Sequence, residues 1–165
     1  MQEKLTTLEA SLAHTLAVPA NTEVRYFYGP QGFRQMMWNS LRGKEHIGYS
    51  QFGRVEVVGK NFTKKHVEEI VKRGIEDRVI TNPEIVTKYL KTEDGDIHEL
   101  RKKYQHTRVI SKDKLYISGD ITIYNNVFAV AYWKHGEVVG VEIENAELVK
   151  TQRSIFELLW EIANR

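Results

Sequence analysis

The sequence predicts an α/β domain with a mixed β-sheet flanked by helices on both faces. Two patterns carry that expectation. Residues 24–80 alternate strand, helix, strand, helix, strand, and residues 115–165 read as a three-strand meander closed by an amphipathic helix. Size agrees: 165 residues, 41% of them hydrophobic, make one domain with a substantial core.

The elements follow in order. Leu5, Leu8, Leu12 and Leu16 form one apolar stripe, which predicts a helix over 3–17 that Pro19 ends. Residues 1–20 are therefore an N-terminal linker or arm helix, and 22–165 the main domain. The arm either docks on its own domain or serves as a dimerising or interdomain segment. Val24–Tyr28 is a strand broken by Gly29-Pro30. Phe33, Met36, Met37 and Leu41 then share a helical face that Gly43 closes. His46–Phe52 is a second strand, and the alternation of Arg54–Val58 fits a short strand or a loop. Asn61 or Thr63 would cap a helix burying Val67, Ile70 and Val71, stopped by Gly74. Ile75–Ile80 is a third strand, ended by Asn82-Pro83. Short helices over 84–91 and 96–104 are split by Asp94-Gly95, and Thr107–Ile110 is a fourth strand.

Leu115–Tyr124, Val127–Trp133 and Val138–Ile143 are the closing strands. Asn125-Asn126 and His135-Gly136 supply tight turns, so neighbours pair antiparallel. Asn145 caps the last helix, with Glu147 in its first turn. Val149, Phe156, Leu159, Trp160 and Ala163 share one face; Ile155, Leu158 and Ile162 widen it, so the helix is expected to be largely buried. Glu142 and Glu144 are expected on a solvated strand face.

Composition narrows the function classes. The 24 basic and 22 acidic residues leave a formal charge of +2, too balanced for a dedicated nucleic-acid binder. The pairs Lys64-Lys65 and Lys72-Arg73 and the run Arg101-Lys102-Lys103 suit solvated helix faces. There is no cysteine, hence no disulfide, thiol nucleophile or thiolate metal site. No apolar run approaches membrane-helix length and no signal peptide is evident, so a cytoplasmic protein without membrane partners is expected. The sequon Asn61-Phe62-Thr63 is then incidental.

Several segments carry a family likeness. Val24-Arg-Tyr-Phe-Tyr-Gly-Pro-Gln-Gly-Phe33 resembles the opening of the C-terminal domain of TrmB-like transcriptional regulators. Val67–Ile80 resembles the family's helix, basic-Gly, strand segment. Asp120–Tyr124, Phe128–Tyr132, Val139–Asn145 and Ile155-Phe-Glu-Leu-Leu-Trp160 resemble its closing section, across roughly residues 22–163 in all. The resemblance implies a phospholipase D-like fold and a domain that senses an effector, such as a sugar or other metabolite, or mediates homodimerisation. The family's usual winged helix-turn-helix has no counterpart here. The chain starts about where such a domain hands over to its linker helix, so DNA contact is expected only through a domain absent from this chain.

Phospholipase D enzymes carry a His-x-Lys motif on a late strand, the imidazole attacking phosphorus and the ammonium binding phosphate oxygens. The corresponding strand here reads Asp120-Ile121-Thr122, and a carboxylate repels a phosphodiester. None of the six histidines has the motif's spacing, and no Gly-x-Ser-x-Gly, P-loop or His-Glu-x-x-His is present. The expectation is therefore no catalytic residue, no metal and no cofactor.

Ligands in open α/β sheets favour the carboxyl ends of strands. That rule selects Tyr49 and Ser50, with Asp120 and Thr122 facing the same cleft if the fold is phospholipase D-like. Trp133 could stack on a sugar or base, or simply pack. Asp120 lies amid Ile117, Ile121 and Ile123 and must reach solvent or find a donor, for which Arg54 and Arg25 are the candidates. A ligand contact and a structural ion pair both fit it.

Overall fold

A computed structural model of the chain describes residues 21–92 and 95–164. The arm expected over residues 1–20 lies outside the described residues. The rest is an α/β domain with one mixed sheet, as the patterns predicted. Its strands are β1 (Glu23–Tyr28), β2 (Glu45–Tyr49), β3 (Glu76–Thr81), β4 (Gln105–Val109), β5 (Asp120–Tyr124), β6 (Val127–Lys134) and β7 (Glu137–Glu144). The helices among the described residues are α1 (Gly29–Ser40), α2 (Arg54–Val58), α3 (Lys60–Arg73), α4 (Pro83–Thr92), α5 (Gly95–Arg101) and α6 (Ala146–Ile162).

The sheet order is β1-β7-β6-β5-β2-β3-β4. β2, β3 and β4 are mutually parallel, whereas β2 pairs antiparallel with β5, and β5, β6, β7 and β1 continue antiparallel. The two hairpins form as expected. Both residues of the β6–β7 turn, His135 and Gly136, have positive φ, which suits the right-handed twist of the strands they join.

Alternation along the strands sorts two cores. Tyr124, Val127, Ala129, Ala131 and Val138 face α1 and pack on Phe33, Met36 and Met37. Ile47, Ile80 and Ile123 face α6 and pack on Val149 and Phe156. A satellite core joins α3 to α5 through Val67, Ile70 and Ile97. Close approach depends on two glycines. A Cβ at Gly140 would lie 2.0 Å from the Met36 sulfur, and one at Gly48 would lie 1.8 Å from the Ile121 carbonyl oxygen.

Polar groups fix the helices. Asn145 caps α6 by accepting from the Leu148 N–H at 2.9 Å. Arg78 grips Glu157 of α6 through two bonds of 2.9 and 2.6 Å, and Arg108 donates to the Trp160 carbonyl at 2.6 Å while lying over its ring. On the other face the carbonyls ending α1 receive two buried imidazoles. His66 Nε2–H donates to the Met37 oxygen and His46 Nε2–H to the Ser40 oxygen, each at 2.8 Å. Burial drives the His66 pKa down to about 3 and lowers that of His46, so both rings are neutral at pH 7.

Several expectations are corrected. Leu115–Gly119 is not strand; the segment arches away and only Asp120–Tyr124 pairs. β2 stops at Tyr49 because Phe52 and Gly53 turn with positive φ. Arg54–Val58 is a short helix, not a strand or loop. Neither Asn61 nor Thr63 caps α3, whose cap position is Gly59; the Thr63 hydroxyl instead donates back to the Gly59 carbonyl. α5 ends at Arg101 and β4 starts at Gln105, earlier than the pattern suggested. Ile155, Leu158 and Ile162 are exposed because α6 lays Val149 and Phe156 on the sheet and turns that stripe outward. Glu142 is fully buried: it shares the α1-facing side of β7 with Gly140 and accepts from Arg25, Asn39 and Tyr124.

Neutral buried histidines make stability pH-dependent in a definite direction. Their folded pKa values lie below the ordinary 6.5, so their contribution is intact above about 6.5 and declines as pH falls, that of His66 being lost toward about 3. Urea midpoints should therefore drop on acidification, His66 contributing about 1.4 kcal/mol per pH unit. His66→Gln should give a shallower acid slope, and an unchanged slope would refute the assignment.

Candidate functional site

The carboxyl end of β2 meets the amino end of β5. Ser50 extends the parallel ladder, its N–H donating to the Ile80 carbonyl at 3.1 Å while its own carbonyl accepts from the Thr81 hydroxyl at 2.7 Å. The chain then turns sharply through Phe52 and Gly53, and the Phe52 N–H donates to the Ser50 hydroxyl oxygen at 2.9 Å. Non-glycine residues seldom adopt the left-handed region Phe52 occupies, and such turns are held by their surroundings. Here the holders are the Ser50 bond and the Tyr89 ring, stacked on Phe52 at 4.5 Å.

That turn delivers donors to Asp120, which is only 3% exposed. Oδ1 accepts from the Ser50 hydroxyl at 2.8 Å and from the Gln51 N–H at 3.1 Å. Oδ2 pairs with the Nε of Arg54, at the start of α2. Of the two arginines considered from sequence, Arg54 is the partner. Arg25 instead bridges Glu142, Glu23 and Glu144 at 3.0–3.1 Å.

Ser50, Arg54, Asp120 and Thr122 are thus brought together on the α1 side of the sheet. Thr122 lies one alternation along β5 and lines, with Arg54 and Asp120, a gap of about 30 Å³ beneath α1, enough for a water. Trp133 stands apart, packed on Phe33 at 5.2 Å and bordering a cleft of about 130 Å³. Gln51, Phe52, Glu56, Lys88 and Tyr89 form much of the remaining wall of that cleft. Tyr49 does not join them: alternation points it to the α6 side, where it meets Phe156 edge-on at 5.8 Å. Burial pushes its phenol up to about 12. No histidine borders the water-sized gap or the Trp133 cleft among the described residues.

Sequence reasoning missed a second buried carboxylate. Glu142 accepts from Arg25 Nε at 3.1 Å, Asn39 Nδ2 at 3.1 and 3.2 Å, and the Tyr124 hydroxyl at 3.1 Å. Burial and the Glu142 charge push the Tyr124 phenol up to about 12, so it remains a donor. The legible signal was Gly140, which shares the face of Glu142 and lets α1 approach.

No protein-family profile and no curated protein matches the chain. Solved structures do. An archaeal chromatin protein, TrmBL2, described as showing a novel mode of DNA binding, matches 99% of this chain with TM-score 0.58 and 14% identity. Nuc from Salmonella typhimurium, a phospholipase D family member, matches 87% with TM-score 0.59 and 15% identity. The fold is phospholipase D-like. NucT from Helicobacter pylori agrees, at TM-score 0.58, 14% identity and 87% of this chain. The chain spans 62% of TrmBL2 but 97% and 98% of Nuc and NucT. At such identity the likeness is one of fold. It supports the fold expected from the TrmB-like resemblance and leaves the chemistry to the residues at the strand ends.

The Asp120 cluster makes a measurable claim about coupling. Asp120→Ala should destabilise by about 3–5 kcal/mol, because Arg54, the Ser50 hydroxyl and the Gln51 amide all lose their acceptor. In a double-mutant cycle Asp120→Ala and Arg54→Ala should couple by about 1–3 kcal/mol in chemical denaturation. Strict additivity would show that the pair is not a stabilising unit.

Proposed function

We propose that this is a non-catalytic effector-sensing and dimerisation domain of a TrmB-like regulator, cytoplasmic, reaching DNA only through a domain outside this chain. The observation that carries the reading is the state of Asp120. It stands where the resemblance expects the nucleophilic imidazole, and both its carboxylate oxygens are already engaged by Ser50, Gln51 and Arg54. A carboxylate so held is a poor nucleophile, and its charge opposes an approaching phosphodiester. Thr122 supplies no ammonium for phosphate oxygens.

The neighbouring cleft supports sensing. It lies at the carboxyl ends of β2 and β6, the edge where open α/β sheets take ligands. The rings of Trp133 and Tyr89 beside Gln51 and Glu56 offer stacking surface next to hydrogen-bonding groups. That combination suits a polar ring such as a sugar, and about 130 Å³ admits nothing much larger than one.

A thermal-shift screen of sugars, nucleotides and phosphorylated metabolites tests the reading. A ligand at 100 times its dissociation constant should stabilise by about 2.7 kcal/mol, and Trp133→Ala should abolish the response. A flat response across the library would defeat sensing. Dimerisation is checked by light scattering on the full chain, where a monomer would contradict it.

The near-complete coverage of Nuc and NucT favours one competing reading, a degenerate phosphodiesterase. Incubation with bis(p-nitrophenyl) phosphate and labelled DNA, with several divalent metals, should give no turnover. Turnover lost on Asp120→Ala would reverse the assignment.

A further inference from the structure

We propose that the α6 side of the sheet carries a second ligand site, a cavity for an uncharged, mainly apolar small molecule such as a bicyclic aromatic. It is separate from the Trp133 cleft and does not rest on the sensing role proposed there. The cavity originates in the arch over residues 115–119. Asn82, 2% exposed, pins that arch: its Nδ2 donates to the carbonyls of Ile110 at 2.9 Å and Leu115 at 2.8 Å. The Ile117 N–H returns a bond to Asn82 Oδ1 at 3.4 Å. Held away from the sheet, the arch leaves a space of about 330 Å³ between itself, β5, β6 and α6. That volume is within the range of small-molecule sites.

The walls define the ligand. Leu115, Ile117, Ile121, Val130 and Leu159 make them mostly aliphatic, and Tyr116 and Tyr132, 68% and 44% exposed, add aromatic surface. Gln152, Ser118 and the Tyr49 phenol are the polar groups that could orient a guest. With its pKa raised to about 12, Tyr49 keeps its proton and can donate it. Asp120 touches this space, yet its carboxylate is committed to Ser50, Gln51 and Arg54. Among the described residues no other charged side chain lines it. An ionic guest would therefore lose hydration without gaining a counter-ion, whereas an uncharged one gains burial.

Amide-resolved NMR of the full chain tests this with indole as the probe and indole-3-acetate as its charged counterpart. Indole should saturably shift the amides of Ser118, Gly119, Val130 and Gln152, with indole-3-acetate at least roughly tenfold weaker. Val130→Trp should abolish the shifts. Ile155→Trp, at a lining position 42% exposed and so tolerant of a larger side chain, should weaken them as well. Trp133→Ala, in the other cleft, should leave them unchanged. Absence of saturable shifts at these amides overturns the proposal, whether a second copy or residues 1–20 fill the space instead. So do shifts that survive Ile155→Trp, or equal binding of the charged probe. Failure here leaves the metabolite screen of the Trp133 cleft standing, and a flat screen leaves this cavity standing.

Discussion

A carboxylate placed inside a sheet must be met by donors, and the path of the chain from β2 into α2 is bound up with meeting that need at Asp120. Left unpaired in an apolar interior, such a charge costs several kcal/mol. Three donors meet it here, and each has a structural consequence. The Ser50 hydroxyl joins the end of β2 to the start of β5. The Gln51 amide requires the backbone to bend at once. Arg54 opens the short helix that leads on to α3. The left-handed turn at Phe52 and Gly53 is the geometry that lets all three converge.

Glu142 repeats the arrangement deeper in the fold. Its donors come from β1, α1 and β5, so one carboxylate ties the edge strand, the covering helix and the sheet centre together. The two buried histidines act in the same layer, closing the end of α1 from β2 and α3. Polar groups so fully satisfied specify one docking of the helix, because a shifted register would strand several of them at once. This network explains why the space beneath α1 is sealed to a water-sized gap. The α6 side is held by arginine contacts at one end and by the Asn82-pinned arch, and there the larger cavity remains.

The functional consequence is a division between faces. The edge that in a phospholipase D-like fold is expected to expose an imidazole here presents a carboxylate with both oxygens already engaged. The two spaces proposed for ligands lie beside it, at the rings of Trp133 and Tyr89, and behind it, next to Tyr49.

Much of this fold was legible. Period-two and helical spacing placed the seven strands and most helices, and the Asn-Asn and His-Gly turns dictated the antiparallel meander, because local backbone preference and amphipathic patterning act within a few residues. The same reading found Asp120 and named Arg54 among its partners, since a charge among isoleucines announces an unmet need. Tyr49 fell on the other face from Ser50 because alternation separates neighbours along an extended chain. Leu115–Gly119 looks like strand by composition, but a distant asparagine claims its backbone. The outward stripe of α6 and the burial of Glu142 likewise depended on which elements pack together. By itself, then, the sequence determined the elements, their turns and the missing imidazole, which are local matters. Only the tertiary structure decided which polar groups are satisfied and which spaces stay open, because partners dozens of residues away supply the donors and the walls.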